Sequence, residues 1–192
     1  MQVAAVSVTD LACRRGDRIL FDGLSLRLRA GDALQVTAGN GVGKSSLLRI
    51  LAGLAPAFAG MVSAKGSIGL IDERPALDPA APLGRALAFW QRIDGPADAE
   101  LTRLGLAELL DVPVRYLSTG QKKRAALARL IGQKADIWLL DEPLNGLDTH
   151  AVELTEALVE SHCAGGGIAI VASHQPFSVA RLARLSLADY AP

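Results

Sequence analysis

Between Val3 and Thr37 apolar and polar positions alternate: Val6 and Val8 with Leu11, then Ile19-Leu20-Phe21, then Leu24-Ser25-Leu26-Arg27-Leu28-Arg29. This period of two, interrupted at Arg15-Gly16-Asp17 and Ala30-Gly31-Asp32, predicts antiparallel strands joined by turns, and the apolar run Ala33 to Thr37 predicts another strand. Ser46 to Leu54 changes to helical spacing, and Gly60 to Ile71 returns to two short strands around Lys65-Gly66. Pro75, Pro79 and Pro82 forbid a regular helix after Asp72, so an exposed, hinge-like connection is expected there. From Leu83 to Leu110 the spacing of Leu83, Leu87, Trp90, Leu101, Leu104 and Leu109 is helical with a break at Asp94-Gly95-Pro96, and Lys122 to Gln133 predicts a further helix.

Ala135 to Leu140 and Ile168 to Ser173 are unbroken apolar runs, the pattern of buried parallel strands. Between them Thr149 to His162 predicts a helix, with Asp148 as its N-cap and Gly165-Gly166-Gly167 ending it. Pro176 to Pro192 predicts a helix and a last short strand around Leu185-Ser186-Leu187. The expectation is a single α/β domain over residues 1–192. Its core is formed by residues 1–75 and 134–192 with a small antiparallel β-subdomain, and a helical lobe, residues 76–133, is inserted into that core. Helices that simply cover the sheet have the same periodicity.

Composition narrows the functional classes. The 192 residues suffice for one well-buried core, and 50% apolar with 4% aromatic residues suits an α/β protein rather than a β-sandwich. Twenty basic residues balance 20 acidic ones, so no global field favours nucleic acid or an anionic membrane surface. Cys13 and Cys163 are isolated and read as reduced structural thiols. No run approaches the ~18 apolar residues of a membrane span, so any membrane role is expected through docking to another subunit.

The candidate chemistry lies where strands end. Ala38-Gly39-Asn40-Gly41-Val42-Gly43-Lys44-Ser45, followed by Ser46, joins a strand to a helix, which gathers free N–H groups and the positive helix end around one point. Lys44 adds a cation for terminal phosphates and Ser45 a hydroxyl for Mg²⁺, the arrangement of a P-loop for a nucleoside triphosphate. Asp141 and Glu142 close a buried strand: the first suits Mg²⁺, the second the polarisation of an attacking water. His174 follows another buried strand and is expected at the γ-phosphate. Ser118, taken alone, suits a plain helix N-cap.

The order of P-loop, Leu117-Ser118-Thr119-Gly120-Gln121, Leu139-Leu140-Asp141-Glu142-Pro143, Leu147-Asp148 and His174 resembles the nucleotide-binding subunit of an ABC transporter over the whole chain. The resemblance implies ATP and Mg²⁺ as ligands, hydrolysis at the β–γ bond, and a head-to-tail homodimer. In it, Leu117, Ser118, Thr119, Gly120 and Gln121 of one copy would face the ATP of the other, with Asp148 in the seam. Within the family, the short chain, the basic run after Gln121 and Ser173-His174-Gln175-Pro176 are most similar to subunits serving haem export in cytochrome c biogenesis. That similarity implies integral membrane permease partners, no nucleic acid, and a place on the cytoplasmic face of the bacterial inner membrane.

Three departures stand out. Arg15 occupies the turn where the family carries an aromatic residue against adenine, Thr119 replaces a smaller signature residue, and the family's glutamine after the Ile71 strand is missing, with Glu73 or Arg74 near its place. A soluble assembly ATPase and a low-turnover regulatory module are the alternatives the residues leave open. A metabolite kinase has no use for the signature pentapeptide.

Overall fold

The computed structural model describes residues 3–95 and 98–192, so Pro96 of the expected break lies outside the described residues. In chain order the elements are β1 (Ala5–Arg15), β2 (Arg18–Arg29), β3 (Ala33–Thr37), α1 (Lys44–Leu51), β4 (Ala59–Lys65) and β5 (Ile68–Ile71). Then come α2 (Leu83–Asp94), α3 (Asp98–Arg103), α4 (Thr119–Gln133), β6 (Ile137–Asp141), α5 (Thr149–Ala164), β7 (Ile168–Ala172) and β8 (Leu182–Ser186). Two sheets result. One is antiparallel, in the order β2-β1-β4; the other, β5-β6-β7-β3-β8, is parallel at every pairing.

The unbroken apolar runs of β6 and β7 follow from burial of both faces of the parallel sheet. Ile137, Leu139, Ile168 and Ile170 face a cluster shared with α1 and the antiparallel sheet, including Leu47, Leu48, Phe21 and Leu24. Trp138, Leu140, Ala169 and Val171 face the opposite cluster, which holds Leu83 and Leu87 of α2 and Leu127 and Leu130 of α4. Arg129 of α4 lies over the Trp90 ring of α2 at 4.1 Å. β4 and β5 form around Lys65-Gly66 as expected, but each joins a different sheet.

The structure moves several boundaries and removes one element: α5 runs to Ala164 rather than His162, β6 begins at Ile137 rather than Ala135, and the helical stretch expected to Leu110 ends as an α-helix at Arg103. β2 is continuous through Asp22-Gly23 rather than two segments. α1 begins two residues earlier than Ser46 and ends at Leu51. α4 begins at Thr119, not Lys122, because Ser118 and Gln121 form a reciprocal capping box: the Ser118 Oγ accepts from the Gln121 N–H at 3.2 Å, and the Gln121 Oε1 accepts from the Ser118 N–H at 2.8 Å. The helix expected after Pro176 does not form. The last strand expected around Leu185 does form: it is β8, which begins at Leu182, ends at Ser186 and covers the edge of β3 in parallel register from Ala33 opposite Leu182 to Thr37 opposite Ser186.

α5 is fastened to the sheet by His162, whose ring stacks on Trp138 with centroids 4.0 Å apart and an interplanar angle of 7°. Gly167 is required there, since a Cβ on it would lie 2.2 Å from the imidazole. Burial lowers the His162 pKa below its ordinary 6.5, so the folded chain takes up this proton less readily than the unfolded chain. The stability tied to neutral His162 is therefore complete above pH 6.5 and declines as pH falls below it. Between pH 7 and 5.5 the thermal midpoint of His162→Phe is expected to fall less steeply than that of the parent; equal slopes in melts across that range would count against the assignment.

Candidate functional site

Residues 38–43 leave the C-terminal end of β3 and enter α1, with Gly43 as N-cap at φ 117°. Gly39, Asn40, Gly41 and Ser45 are exposed, Lys44 and Ser46 are buried, and Val42 packs inward against the α1 cluster. This loop walls a cavity of about 360 Å³. Lys44, Ser45 and Ser46 also line it, as do Asp141 and Glu142 from the end of β6, Glu73 from the connection after β5, and Arg15 and Leu20 from the β1–β2 hairpin. Ala38 takes part through its carbonyl, which accepts from the Lys44 ammonium at 2.8 Å; the Gly39 carbonyl accepts at 3.4 Å.

Glu142 holds the centre. One carboxylate oxygen lies 3.5 Å from Lys44 Nζ and the other 2.9 Å from His174 Nδ1, which must carry the proton because a carboxylate only accepts. Glu142 sits in the left-handed region at φ 46°, and its N–H donates to the Ala172 carbonyl at 2.8 Å. Left-handed backbone at a non-glycine residue is the kind of strain that structures hold at functional positions.

Asp141 is 4% exposed, and its Oδ1 has no hydrogen-bond partner. Burial raises the Asp141 pKa, and a hydrogen bond with the Ser45 hydroxyl and the charge of Lys123 oppose the rise. A buried, unsatisfied carboxylate oxygen beside a hydroxyl fits a hard divalent cation with oxygen ligands, so the donor set suits Mg²⁺. The Lys123 ammonium, half-buried on α4, donates to the Asp141 carbonyl at 3.0 Å.

The signature pentapeptide lies apart from this cavity. Leu117 is buried, Ser118 and Thr119 are exposed at the start of α4, and none of Leu117 through Gln121 lines the cavity of its own chain. Gly120 presses on the turn after β6: a Cβ on it would stand 2.4 Å from the Gly146 carbonyl oxygen. Thr119 stands beside the same Gly146, where a Cβ would meet its methyl at 3.2 Å. Asp148 caps α5, its Oδ1 accepting from the Ala151 N–H at 2.8 Å. Arg15 is exposed on the rim of the phosphate cavity.

Of the two candidates near the missing glutamine, Glu73 lines the cavity. Arg74 lies along a different groove with Asp72, whose carboxylate pairs with Arg49 at 3.3 Å. Lys123 and Gln175 stand in segments that carry the family resemblance, but their roles beside the cavity did not follow from it. Gln175 hydrogen-bonds Asn145 through its side chain and Gln35 through its carbonyl, tying the segment that carries His174 to β3.

The sequence model of the ABC transporter family matches residues 21–145. The chain is 55% identical over 194 residues, all of both proteins, to the cytochrome c biogenesis ATP-binding export protein CcmA of Novosphingobium aromaticivorans. It is 46% identical to the protein of that name from Zymomonas mobilis, over 97% of this chain and 86% of the relative. Among solved structures, a component of the cbiONQ ABC transporter complex of Clostridium perfringens superposes with a TM-score of 0.71 at 27% identity, over 88% of this chain and 78% of that one. The chain belongs to the ABC transporter family and, within it, to the CcmA group.

Proposed function

We propose that the chain binds ATP with Mg²⁺ at residues 38–46 and hydrolyses it as one half of a head-to-tail pair, powering haem handling by integral membrane subunits in c-type cytochrome biogenesis. The observation that carries the chemistry is the Glu142 carboxylate held between Lys44 and His174, beside Ser45 and the unsatisfied Asp141. The P-loop amides and Lys44 receive the phosphates, His174 contacts the γ-phosphate, and Glu142 orients and deprotonates the attacking water. Ser45 and Asp141 would hold Mg²⁺, which neutralises charge on the β- and γ-oxygens when bound. Lys44 exchanges its contacts with Glu142 and the Ala38 carbonyl for phosphate oxygens, which frees a carboxylate oxygen for water. Arg15, on the cavity rim, stacks its guanidinium on the base.

ABC ATPases dimerise and work with membrane permeases, and relatives named as export proteins favour the transporter reading over a soluble assembly ATPase or a regulatory module. Among the described residues no helix is long and apolar enough to cross a membrane. The partner surface we assign is a cleft of about 500 Å³ where the 75–81 connection meets α2, lined by Leu77, Phe89 and Trp90 and rimmed by Arg85 and Arg92. Its connection begins at Glu73 in the phosphate cavity, so the helical lobe, residues 76–133, links partner and nucleotide. The pair would sit on the cytoplasmic face of the inner membrane.

Ser118, Thr119 and Asp148 are exposed, which supports a paired reading in which the first two meet the second copy's triphosphate and Asp148 enters the seam. Light scattering with saturating Mg²⁺ and ATP, membrane partners present, is expected to show the pair in the parent. Ser118→Ala is expected to lose the pair, while loss of the cap costs only about 1 kcal/mol of stability. A parent that remains single under these conditions would sink the paired reading, and failure to co-purify with multi-helix membrane proteins would sink the transport reading.

A further inference from the structure

Glu73 projects from the connection after β5 into the same cavity as Lys44, Ser45 and Asp141. We propose that Glu73 is a third acidic group of the phosphate subsite, one that makes nucleotide binding depend on a divalent cation far more steeply than a neutral residue there would; the proposal rests on the ATP and Mg²⁺ reading above. Three carboxylates, Glu73, Asp141 and Glu142, line the cavity against two basic side chains, Lys44 and Arg15. Lys44 already pairs with Glu142, and Arg15 lies on the rim. A metal-free triphosphate therefore meets uncompensated like charge. The same triphosphate with a divalent cation meets carboxylates that can share that cation.

Lys123 explains how the acids coexist before nucleotide arrives. Its ammonium, anchored on the Asp141 carbonyl at 3.0 Å, lies within the electrostatic reach of Asp141, Glu73, Asp72 and Glu142. Arg49 accounts for Asp72, with which it pairs at 3.3 Å. With Glu142 held by Lys44 and His174, one half-buried lysine stands against the two remaining carboxylates, Asp141 and Glu73, and a divalent cation supplies what is lacking.

The test measures ATP affinity of the full-length chain by titration calorimetry at low ionic strength, where exposed charges are least screened, once with EDTA and once with saturating Mg²⁺. The readout is the ratio of the two Kd values. Glu73→Gln preserves size and hydrogen bonding, and is expected to bind metal-free ATP at least roughly fivefold more tightly than the parent, with no gain in Mg²⁺, so the ratio falls by at least that factor. Glu73→Asp keeps the charge and is expected to keep a ratio close to the parent's. Glu153→Gln, an exposed change on α5 outside the cavity, controls for net charge and is expected to leave the ratio alone. An unchanged ratio in Glu73→Gln, or equal shifts in the Asp and Gln variants, overturns the proposal while leaving ATP binding intact. A parent that binds no ATP in either condition would instead remove the nucleotide reading itself. Melting curves for each variant separate altered binding from altered folding.

Discussion

Glu142→Gln is expected to bind ATP at least as tightly as the parent and to lose turnover by about 10²–10³. The amide preserves the shape of the carboxylate and tolerates the same left-handed backbone at φ 46°. It cannot take a proton from water, and it removes the negative partner that lies 3.5 Å from Lys44 Nζ. Lys44 then approaches the phosphates without first leaving an ion pair, so affinity holds or rises while chemistry stops. Nucleotide titration and phosphate release on the same preparation separate the two effects. Phosphate release near the parental rate would assign the water to a group other than Glu142. A matched loss of both would indicate that the carboxylate organises the loop rather than the reaction.

Gly120→Ala sets two physical effects against each other. In a helix alanine is favoured over glycine by up to about 1 kcal/mol, so intrinsic propensity predicts a more stable chain. The methyl, however, would lie 2.4 Å from the Gly146 carbonyl oxygen, a backbone atom that cannot swing away. Either the tip of α4 or the 143–148 turn must move, at a typical overpacking cost of about 1–3 kcal/mol. We expect the steric term to prevail, lowering the thermal midpoint by about 2–4 °C for each net kcal/mol. Turnover of the assembled pair is expected to fall at least roughly tenfold, because Ser118 and Asp148 are displaced together while the chain's own phosphate cavity is untouched. Melting, ATP binding by the single chain, and turnover of the pair check the three parts. A raised midpoint with turnover retained would show that the contact relaxes without consequence.

These expectations draw unequally on sequence and structure. The P-loop was legible because a strand, a glycine-rich turn and a helix must run consecutively to gather their N–H groups. The unbroken runs of β6 and β7 were legible because burial on both faces removes the alternation. The last strand was legible around Leu185, but the helix expected before it does not form: after Pro176 the chain runs irregularly into β8, whose start at Leu182 is set by pairing along the edge of β3. The orientation of Glu73 against Arg74 escaped for a related reason. Glu73 and Arg74 lie in a bend in which the Arg74 N–H donates to the Asp72 carboxylate, so the path of the chain, not its composition, chose the carboxylate. The contact of Glu142 with Lys44 and His174 joins three segments remote in sequence, and only the folded sheet brings them within reach.

The chain's two tryptophans divide between its halves, Trp90 on α2 beneath the Arg129 guanidinium and Trp138 on β6 against the His162 ring. Each indole thus carries its own neighbour able to alter emission, one cationic and one titrating below neutrality. Intrinsic fluorescence can therefore follow the two neighbourhoods without an attached dye: protonation of His162 would alter the signal of Trp138, and any displacement of α4 from α2 would alter that of Trp90.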